Sequence, residues 1–208
     1  MIRDAIKRLM DFTLSAYAIL MLAPIMFAIG ILIKLDSPGP VFYKQVRIGK
    51  GGKPFKMWKF RTMVNNSHSC GSKITYNNDS RITKVGSFIR SIKFDELPNL
   101  FNILKGDMSI VGPRPEIPEY IRRYDKRMEK VFSVKPGLTG PSQIIFFNEE
   151  KMIQKKNIRK IYRKIQERKI DLDREYAEQY NPITDIKLIG RTIVRIFQPQ
   201  DDGMPESI

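Results

Sequence analysis

The sequence has little sulfur and almost no imidazole, and both shortages restrict its chemistry. Cys70 is the only cysteine among 208 residues, so no disulfide can form within the chain, which is consistent with a reducing compartment. His68 is the only histidine, which argues against a histidine-based catalytic triad or a histidine-rich zinc site. If the protein is an enzyme, its acid–base and metal chemistry must therefore fall to carboxylates.

Negative charge is also scarce. The 22 acidic residues are outnumbered by 37 lysines and arginines, which gives a net charge of +15 at pH 7. Such an excess indicates an anionic partner, and nucleic acid, anionic lipid headgroups and nucleotide phosphates all fit. An apolar fraction of 42% allows a core, and the length suits one domain with a small appendage.

One long stretch, residues 12–33, has no charge at all. A straight helix of 22 residues spans about 33 Å, enough to cross a bilayer core of about 30 Å. Pro24 lies near its middle, where it breaks the hydrogen-bond ladder. Both flanks are basic, and positive residues mark the cytoplasmic side of a membrane. Two interpretations stay open: a kinked spanning helix, and a helix that turns back at Pro24.

The remaining patterns predict a mostly helical α+β domain. Residues 41–47 and 54–62 are expected to form a small basic β-hairpin around a glycine-rich turn. Its cations suit a diphosphate or anionic headgroups, although a solvated hairpin is the plainer interpretation. Residues 65–79 are predicted as a mobile loop, Ser87 as the cap of the next helix, and residues 116–131 as a helix. Residues 149–180 are expected to be helical in pieces, and residues 186–196 to form an amphipathic helix at the membrane.

Residues 94–115 are the most informative stretch. Apolar residues at 97, 100, 101 and 104 recur at helical spacing, Pro98 fits only in a first turn, and Gly106 suits a helix end. A short helix should therefore start near Asp95, which places Asp95 and Glu96 at its positive end. Such an end favours an ionised carboxylate and also attracts phosphate. On this pattern alone, an ordinary N-cap is the more common role for the aspartate.

The pattern DELPxLxNxLxGDMSxVGPRP over residues 95–115 resembles the signature of the bacterial sugar transferases, the monotopic phosphoglycosyl transferases. Other blocks are similar to the same family: KRxxD at 7–11, KFRTM at 59–63, DxRxTxxGxxxR at 79–90, PGxTG at 136–140 and LDxxY at 172–176. Two departures stand out. Ala23 replaces the serine before the family's membrane-helix proline, and Pro141-Ser142 replaces a Trp-Ala pair.

The resemblance implies a reaction. Asp95 would attack a UDP-sugar, release UMP and hold the phosphosugar covalently, and the phosphosugar would then pass to a polyprenyl (undecaprenyl) phosphate. This is the first membrane step of bacterial glycoconjugate synthesis. The resemblance also implies that Asp95 and Glu96 are catalytic and contact Mg²⁺, with Glu96 either orienting the metal or assisting proton movement.

The resemblance further implies where the other residues act. Lys59, Arg61, Arg90 and Arg114 would bind substrate phosphates. A membrane element over residues 1–36, containing Lys7, Arg8, Asp11 and the Pro24 break, would be re-entrant. Residues 37–198 would form the catalytic domain on the cytoplasmic face of the bacterial inner membrane, followed by a loose tail at 199–208.

The implied partners are a UDP-sugar, a polyprenyl phosphate and anionic membrane lipids, with no nucleic acid. A homo-oligomer is compatible with the sequence. The competing interpretation is a non-enzymatic basic adaptor at the membrane surface, or a nucleic-acid binder. Nucleic-acid binding would weaken steeply with salt, whereas Mg²⁺-dependent release of UMP would identify the enzyme.

Overall fold

The computed structural model describes residues 2–65, 74–76, 78–121, 126–153 and 158–198. A long helix and a hairpin come first: α1 (Ile2–Asp36), β1 (Phe42–Ile48) and β2 (Pro54–Phe60). Shorter elements follow: α2 (Lys84–Ser91), α3 (Asn99–Lys105), β3 (Ser109–Val111), α4 (Lys126–Val131), β4 (Gly137–Thr139), α5 (Pro141–Ile145) and α6 (Glu149–Met152). Two longer helices are α7 (Ile158–Gln179) and α8 (Pro182–Phe197). The predicted α+β class, mostly helical, is confirmed.

The predicted hairpin is present. Strands β1 and β2 pair antiparallel, in a register from Phe42 opposite Phe60 to Ile48 opposite Pro54. The turn between them needs glycine, because Gly51 and Gly52 have φ values of 69° and 72°. Phe60 is buried against α1 and α2, so the hairpin is fixed to the core at the end of β2.

A second sheet, which the sequence did not predict, is parallel and has two short strands. Ser109 of β3 lies opposite Gly137 of β4, and Val111 lies opposite Thr139. Beyond β3 the chains approach so closely that a Cβ added to Gly137 would lie 2.1 Å from the backbone nitrogen of Gly112. Gly112 and Gly137 therefore allow the PGxTG turn to pack directly against the Gly-Pro-Arg-Pro segment.

Three local predictions need correction or fall outside the described chain. The helix expected over 116–131 is interrupted: the described residues form a 3-10 turn, Pro118–Tyr120, then a non-helical residue at 121, and later α4, while residues 122–125 lie outside the described residues. Pro118 begins the turn, because proline is tolerated in a first turn and not further along a helix. The cap of α2 is Thr83, whose Oγ1 accepts from Gly86, and Ser87 lies inside the helix. Residues 66–73, 77 and 199–208 lie outside the described residues, so most of the predicted loop and the tail stay predictions.

Helix α1 packs on the domain along most of its length. Ala18, Ile19 and Leu22 contact the core between its two ends. Its buried side chains form one stripe: Lys7, Asp11, Ser15, Met26, Ile29 and Ile33. The helix is continuous through Pro24, so the predicted break is absent. A proline removes one hydrogen bond and bends a helix, but flanking turns can keep it helical.

The start of α1 is bonded to the domain. Lys7 Nζ lies 2.6 Å from Asp185 Oδ2 and donates to the Val111 carbonyl at 2.9 Å. Arg8 donates to the carbonyls of Ile103 and Leu104 at the end of α3, a favourable place for a cation.

Asp11 completes this attachment by accepting from the backbone of Ile110 and the hydroxyl of Ser109. Lys7, Arg8 and Asp11 were assigned to the membrane element from sequence. In the structure their charged groups bind the folded domain, and their part in membrane association stays a prediction. The sequence alone does not show whether a charged residue beside an apolar helix contacts a lipid headgroup or a buried carboxylate or carbonyl.

Replacing Lys7 by methionine should destabilise the fold strongly. The variant keeps the length of the side chain but leaves Asp185, which is fully buried, without its cation. Removing one partner of a buried ion pair costs about 3–5 kcal/mol, and thermal unfolding in detergent measures the loss. Lys105→Met is the matched control, because Lys105 pairs with Asp107 but is 75% exposed. Its effect should stay below about 1 kcal/mol; equal effects would contradict the role given to Lys7.

Candidate active site

Asp95 lies in a single 3-10 turn, Phe94–Glu96, between α2 and α3. Lys93 before it has φ 59° and ψ 21°, a left-handed conformation that is uncommon outside glycine and that reverses the chain after α2. Helix α3 begins only at Asn99, after Pro98, so the acidic pair precedes the helix and is not in its first turn as predicted. The Asp95 side chain is largely buried, at 7% exposure.

Two cavities meet at Asp95. One has a volume of about 190 Å³ and opens between the hairpin and α7, where Gln45, Arg47 and Thr62 give it a polar wall. The other has a volume of about 310 Å³ and opens towards α8, where Ile144, Ile189 and Ile193 contribute to an apolar wall. Six residues border both cavities: Lys59, Arg90, Asp95, Arg114, Glu149 and Lys169. The first cavity is the more polar of the two and is called the polar cavity, and the second is called the apolar cavity; the predicted nucleophile lies where they meet.

Glu96 organises the cations beside Asp95. Its Oε1 lies 2.6 Å from Lys59 Nζ and 3.3 Å from an Arg114 nitrogen. Burial alone would raise the pKa of Glu96, but the positive charges of Lys59 and Arg114 outweigh it and lower that pKa. Burial would likewise lower the pKa of Arg114, yet Glu96 reverses the direction and raises it. Glu96 is therefore a carboxylate at neutral pH, and it holds two predicted phosphate-binding cations in place.

Arg90 reaches the site because α2 lies close to the end of the hairpin. A Cβ added to Gly86 would be 2.1 Å from the carbonyl oxygen of Thr62, so only glycine permits this approach. Arg90 then donates to the Thr62 hydroxyl at 3.1 Å and borders both cavities. Four sequence-predicted residues, Lys59, Arg90, Asp95 and Arg114, are therefore brought together.

Arg61 behaves differently from the prediction. Its guanidinium donates to the carbonyls of Pro38 and Ser37, at 2.5 and 2.6 Å, just after the end of α1. The residue is 7% exposed, although it lies on the wall of the polar cavity. Its observed contacts fix the segment after α1, and phosphate binding by Arg61 stays a prediction.

Sequence reasoning missed Glu149 and Lys169. Lys169 is 4% exposed, and its Nζ lies 2.5 Å from Glu149 Oε2. Burial would raise the pKa of Glu149, but Lys169 and Arg114 outweigh it and lower that pKa, so Glu149 is ionised at neutral pH. The available signal was the spacing of Lys169, Asp173 and Tyr176, which places all three on one face of a helix.

The carboxylates of Asp95 and Glu96 suit a metal ion that is bound partly by the substrate. Within the part of the chain that the structure describes, no three His, Cys, Asp or Glu side chains form a cluster that could enclose an ion. Mg²⁺ commonly takes one or two carboxylates and completes its shell with water and substrate phosphates. Asp95 and Glu96 are adjacent and border the apolar cavity together. They fit a Mg²⁺ that arrives with a phosphate substrate.

Comparison with known proteins points to one family. A family model described as bacterial sugar transferase matches residues 2–199. The chain is 43% identical over 143 residues to a UDP-N-acetylgalactosamine-undecaprenyl-phosphate N-acetylgalactosaminephosphotransferase of Aeromonas hydrophila, a match covering 67% of the chain and 34% of that protein. It is 40% identical over 195 residues to a UDP-glucose:undecaprenyl-phosphate glucose-1-phosphate transferase of Xanthomonas campestris pv. campestris, covering 92% of the chain and 38% of that protein.

A shorter relative matches over most of its length. The chain is 36% identical over 192 residues to the uncharacterized sugar transferase EpsL of Bacillus subtilis, covering 92% of the chain and 87% of that protein. By contrast, the chain spans only 34% and 38% of the lengths of the Aeromonas and Xanthomonas proteins.

Proposed function

This chain belongs to the bacterial sugar transferase family, and from that premise we propose that it transfers a sugar 1-phosphate from a UDP-sugar to a polyprenyl phosphate, with release of UMP. The relatives named for such reactions use UDP-glucose or UDP-N-acetylgalactosamine and undecaprenyl phosphate.

One observation carries the proposal: Asp95 borders both a polar and an apolar cavity. A UDP-sugar is polar and comes from water, whereas a polyprenyl phosphate is a lipid with an anionic head. The polar cavity, with Gln45 and Arg47 on its wall, suits the nucleotide. The apolar cavity, with Ile189 and Ile193 on its wall, suits the first isoprene units. A carboxylate at their junction can react with each in turn.

The proposed reaction has two displacements at the same phosphorus atom. In the first, a carboxylate oxygen of Asp95 bonds to the phosphorus that carries the sugar, and the bond from that phosphorus to the bridging oxygen breaks. UMP leaves with the bridging oxygen, and an acyl phosphate remains on Asp95. In the second, an oxygen of the polyprenyl phosphate attacks this phosphorus and the Asp95 carboxylate leaves. Neither attacking group requires deprotonation, because both are anionic.

The cations at the junction supply what phosphoryl transfer needs, which is positioning and charge stabilisation. Lys59 and Arg114 are held by Glu96, at 2.6 and 3.3 Å, and Arg90 is held by Thr62. We propose that these three side chains bind the phosphate oxygens in both displacements. Mg²⁺ held by Asp95 or Glu96 would, when bound, screen the carboxylate from the diphosphate.

Replacing Asp95 by asparagine should abolish UMP release and the covalent phosphosugar, because an amide is a poor nucleophile. Purified protein in nanodiscs is incubated with a panel of UDP-sugars; released UMP is measured, and intact-protein mass spectrometry detects the adduct. Chelation by EDTA should stop the wild-type reaction, and added Mg²⁺ should restore it.

Asp171→Asn is the control for this substitution, because Asp171 is an exposed carboxylate on α7 that pairs with Arg127. It should retain wild-type turnover. Continued turnover by the Asp95→Asn variant would refute the assigned nucleophile, and UMP release that is unaffected by EDTA would refute the metal.

The two half-reactions should respond to different cavities. Ile193→Glu places a charge in the apolar cavity, where its desolvation opposes lipid binding. We expect transfer to undecaprenyl phosphate to fall at least about 10-fold, while the burst of UMP release without acceptor is kept. Gln45→Leu, in the polar cavity, should instead weaken the UMP burst. Parallel loss of both steps in both variants would contradict the division of the cavities.

We propose that the chain is monotopic, with both ends of α1 on the cytoplasmic face of the inner membrane. Helix α1 is long and apolar enough to cross a membrane, with a mean hydropathy of 2.5 over its most apolar window. Its two ends nevertheless bind the same domain, through Lys7 to Asp185 and through Asp36 to the backbone of Val85. The face of α1 away from the domain exposes large apolar side chains, such as Leu20 and Phe27. This face would enter the lipid.

Cysteine labelling tests this topology. In a Cys70→Ser background, single cysteines replace Ile2 and Lys34, which are both exposed near the ends of α1. A membrane-impermeant maleimide should label both positions in inverted inner-membrane vesicles and neither in spheroplasts. Labelling of the two positions from opposite sides would show a spanning helix.

A further inference from the structure

The Pro113-Arg114-Pro115 turn has a single backbone donor. Proline has no N–H, so only Arg114 can donate from the main chain of this tripeptide. That N–H bonds to Asp173 Oδ2 at 3.1 Å. The other contacts of the turn use carbonyls: Gly137 N donates to Pro113 O at 2.9 Å, and Arg47 donates to Pro115 O at 2.8 Å.

Asp173 is held in a buried position on α7. It is 4% exposed, and its Oδ2 also accepts from the Ser142 hydroxyl of α5 at 2.9 Å. Its other oxygen, Oδ1, is buried without a hydrogen-bond partner among the residues that the structure describes. An unsatisfied buried oxygen is destabilising, because it has lost its hydrogen bonds to water. Stability alone therefore does not explain an aspartate at this position. The contacts of its other oxygen, Oδ2, indicate its role.

The direction of the Arg114 side chain depends on this contact. Its guanidinium lies 3.3 Å from Glu96 and borders both cavities beside Asp95. Rotation of the peptide before Arg114 would swing the long side chain away from Glu96. Misplacing a catalytic group by about 1 Å can lower a rate by about 100-fold.

We propose that Asp173 is a positioning residue for the transfer reaction, which fixes the Arg114 guanidinium at the junction of the two cavities through the only backbone N–H of the turn. This inference rests on the proposed function. Asp173 touches no substrate in it, and it acts only through Arg114.

A double-mutant cycle tests the inference. Asp173→Ala should lower kcat for UMP release by about 10- to 100-fold, with a smaller change in KM for the UDP-sugar. Asp173→Asn, which keeps an acceptor for the Arg114 N–H, should recover part of the loss. In an Arg114→Ala background, Asp173→Ala should have little further effect, because residues that act together are not additive. Additive effects, or no recovery by Asp173→Asn, would overturn the positioning role.

A pH profile gives a readout that a purely structural role would not change. Burial raises the pKa of Asp173 to about 7. The hydrogen bonds from Ser142 and the Arg114 backbone and the charge of Lys169 act in the opposite direction, whereas the charge of Glu116 also raises this pKa. Above pH 7 the carboxylate is the stronger acceptor, so wild-type kcat should fall as pH drops through 7. Asp173→Asn, which does not titrate, should lack this limb, and an unchanged limb would count against the proposal.

Hydrogen exchange separates failure of this inference from failure of the proposed function. Asp173→Ala should lose protection at the Arg114 amide, and Asp171→Ala, on the exposed face of α7, should keep it. Lost protection with unchanged UMP release would overturn the positioning role alone. Absence of UMP release by the wild-type protein from every UDP-sugar tested would overturn the proposed function and the positioning role with it.

Discussion

The buried ion pair between Lys7 and Asp185 connects the long apolar helix α1 to the site. Asp185 is fully buried, and its two oxygens bind Lys7 and the Tyr176 hydroxyl, at 2.6 and 2.7 Å. Lys7 also donates to the carbonyl of Val111 at 2.9 Å, and the Tyr176 hydroxyl oxygen lies 3.1 Å from the same carbonyl oxygen. Charges this deeply buried are tolerated only when they are paired and hydrogen-bonded. Because Val111 directly precedes the Gly-Pro-Arg-Pro segment, the position of the Arg114 turn depends on how α1 docks.

Helix α7 extends this connection through one polar face. Lys169, Asp173, Tyr176 and Tyr180 follow one another at spacings of four, three and four residues, and each side chain reaches a different part of the molecule. In order, they bind Glu149 at the cavities, the Arg114 backbone, Asp185 and Asp4. These buried contacts fix the position of α7 along its axis, because a shift of the helix by one turn would leave several polar groups unpaired. Helix α7 thereby sets the position of the junction between the cavities relative to α1.

Local patterns predicted the hairpin and the stop of α3 at Gly106, and the family resemblance selected Lys59, Arg90, Asp95 and Arg114, which the structure brings together. They did not predict contacts between residues that are far apart in the sequence. Arg61, predicted to bind phosphate, donates to carbonyls just after α1, and Lys7, assigned to the membrane element, binds a carboxylate 178 residues away. Lys169 and Glu149 were missed for the same reason. The sequence shows a charge, but only the fold shows which opposite charge or carbonyl lies against it.

The carboxylates around Asp95 offset part of the positive charge that a diphosphate would meet there. Among the described residues that border both cavities, Lys59, Arg90, Arg114 and Lys169 face the carboxylates of Asp95 and Glu149, and Glu96 pairs with two of the cations. Glu96 and Glu149 hold the cations rigidly, which favours catalysis by preorganisation, but they also neutralise part of the cations' charge. The proposed Mg²⁺, arriving with the diphosphate, would add positive charge beside Asp95 itself.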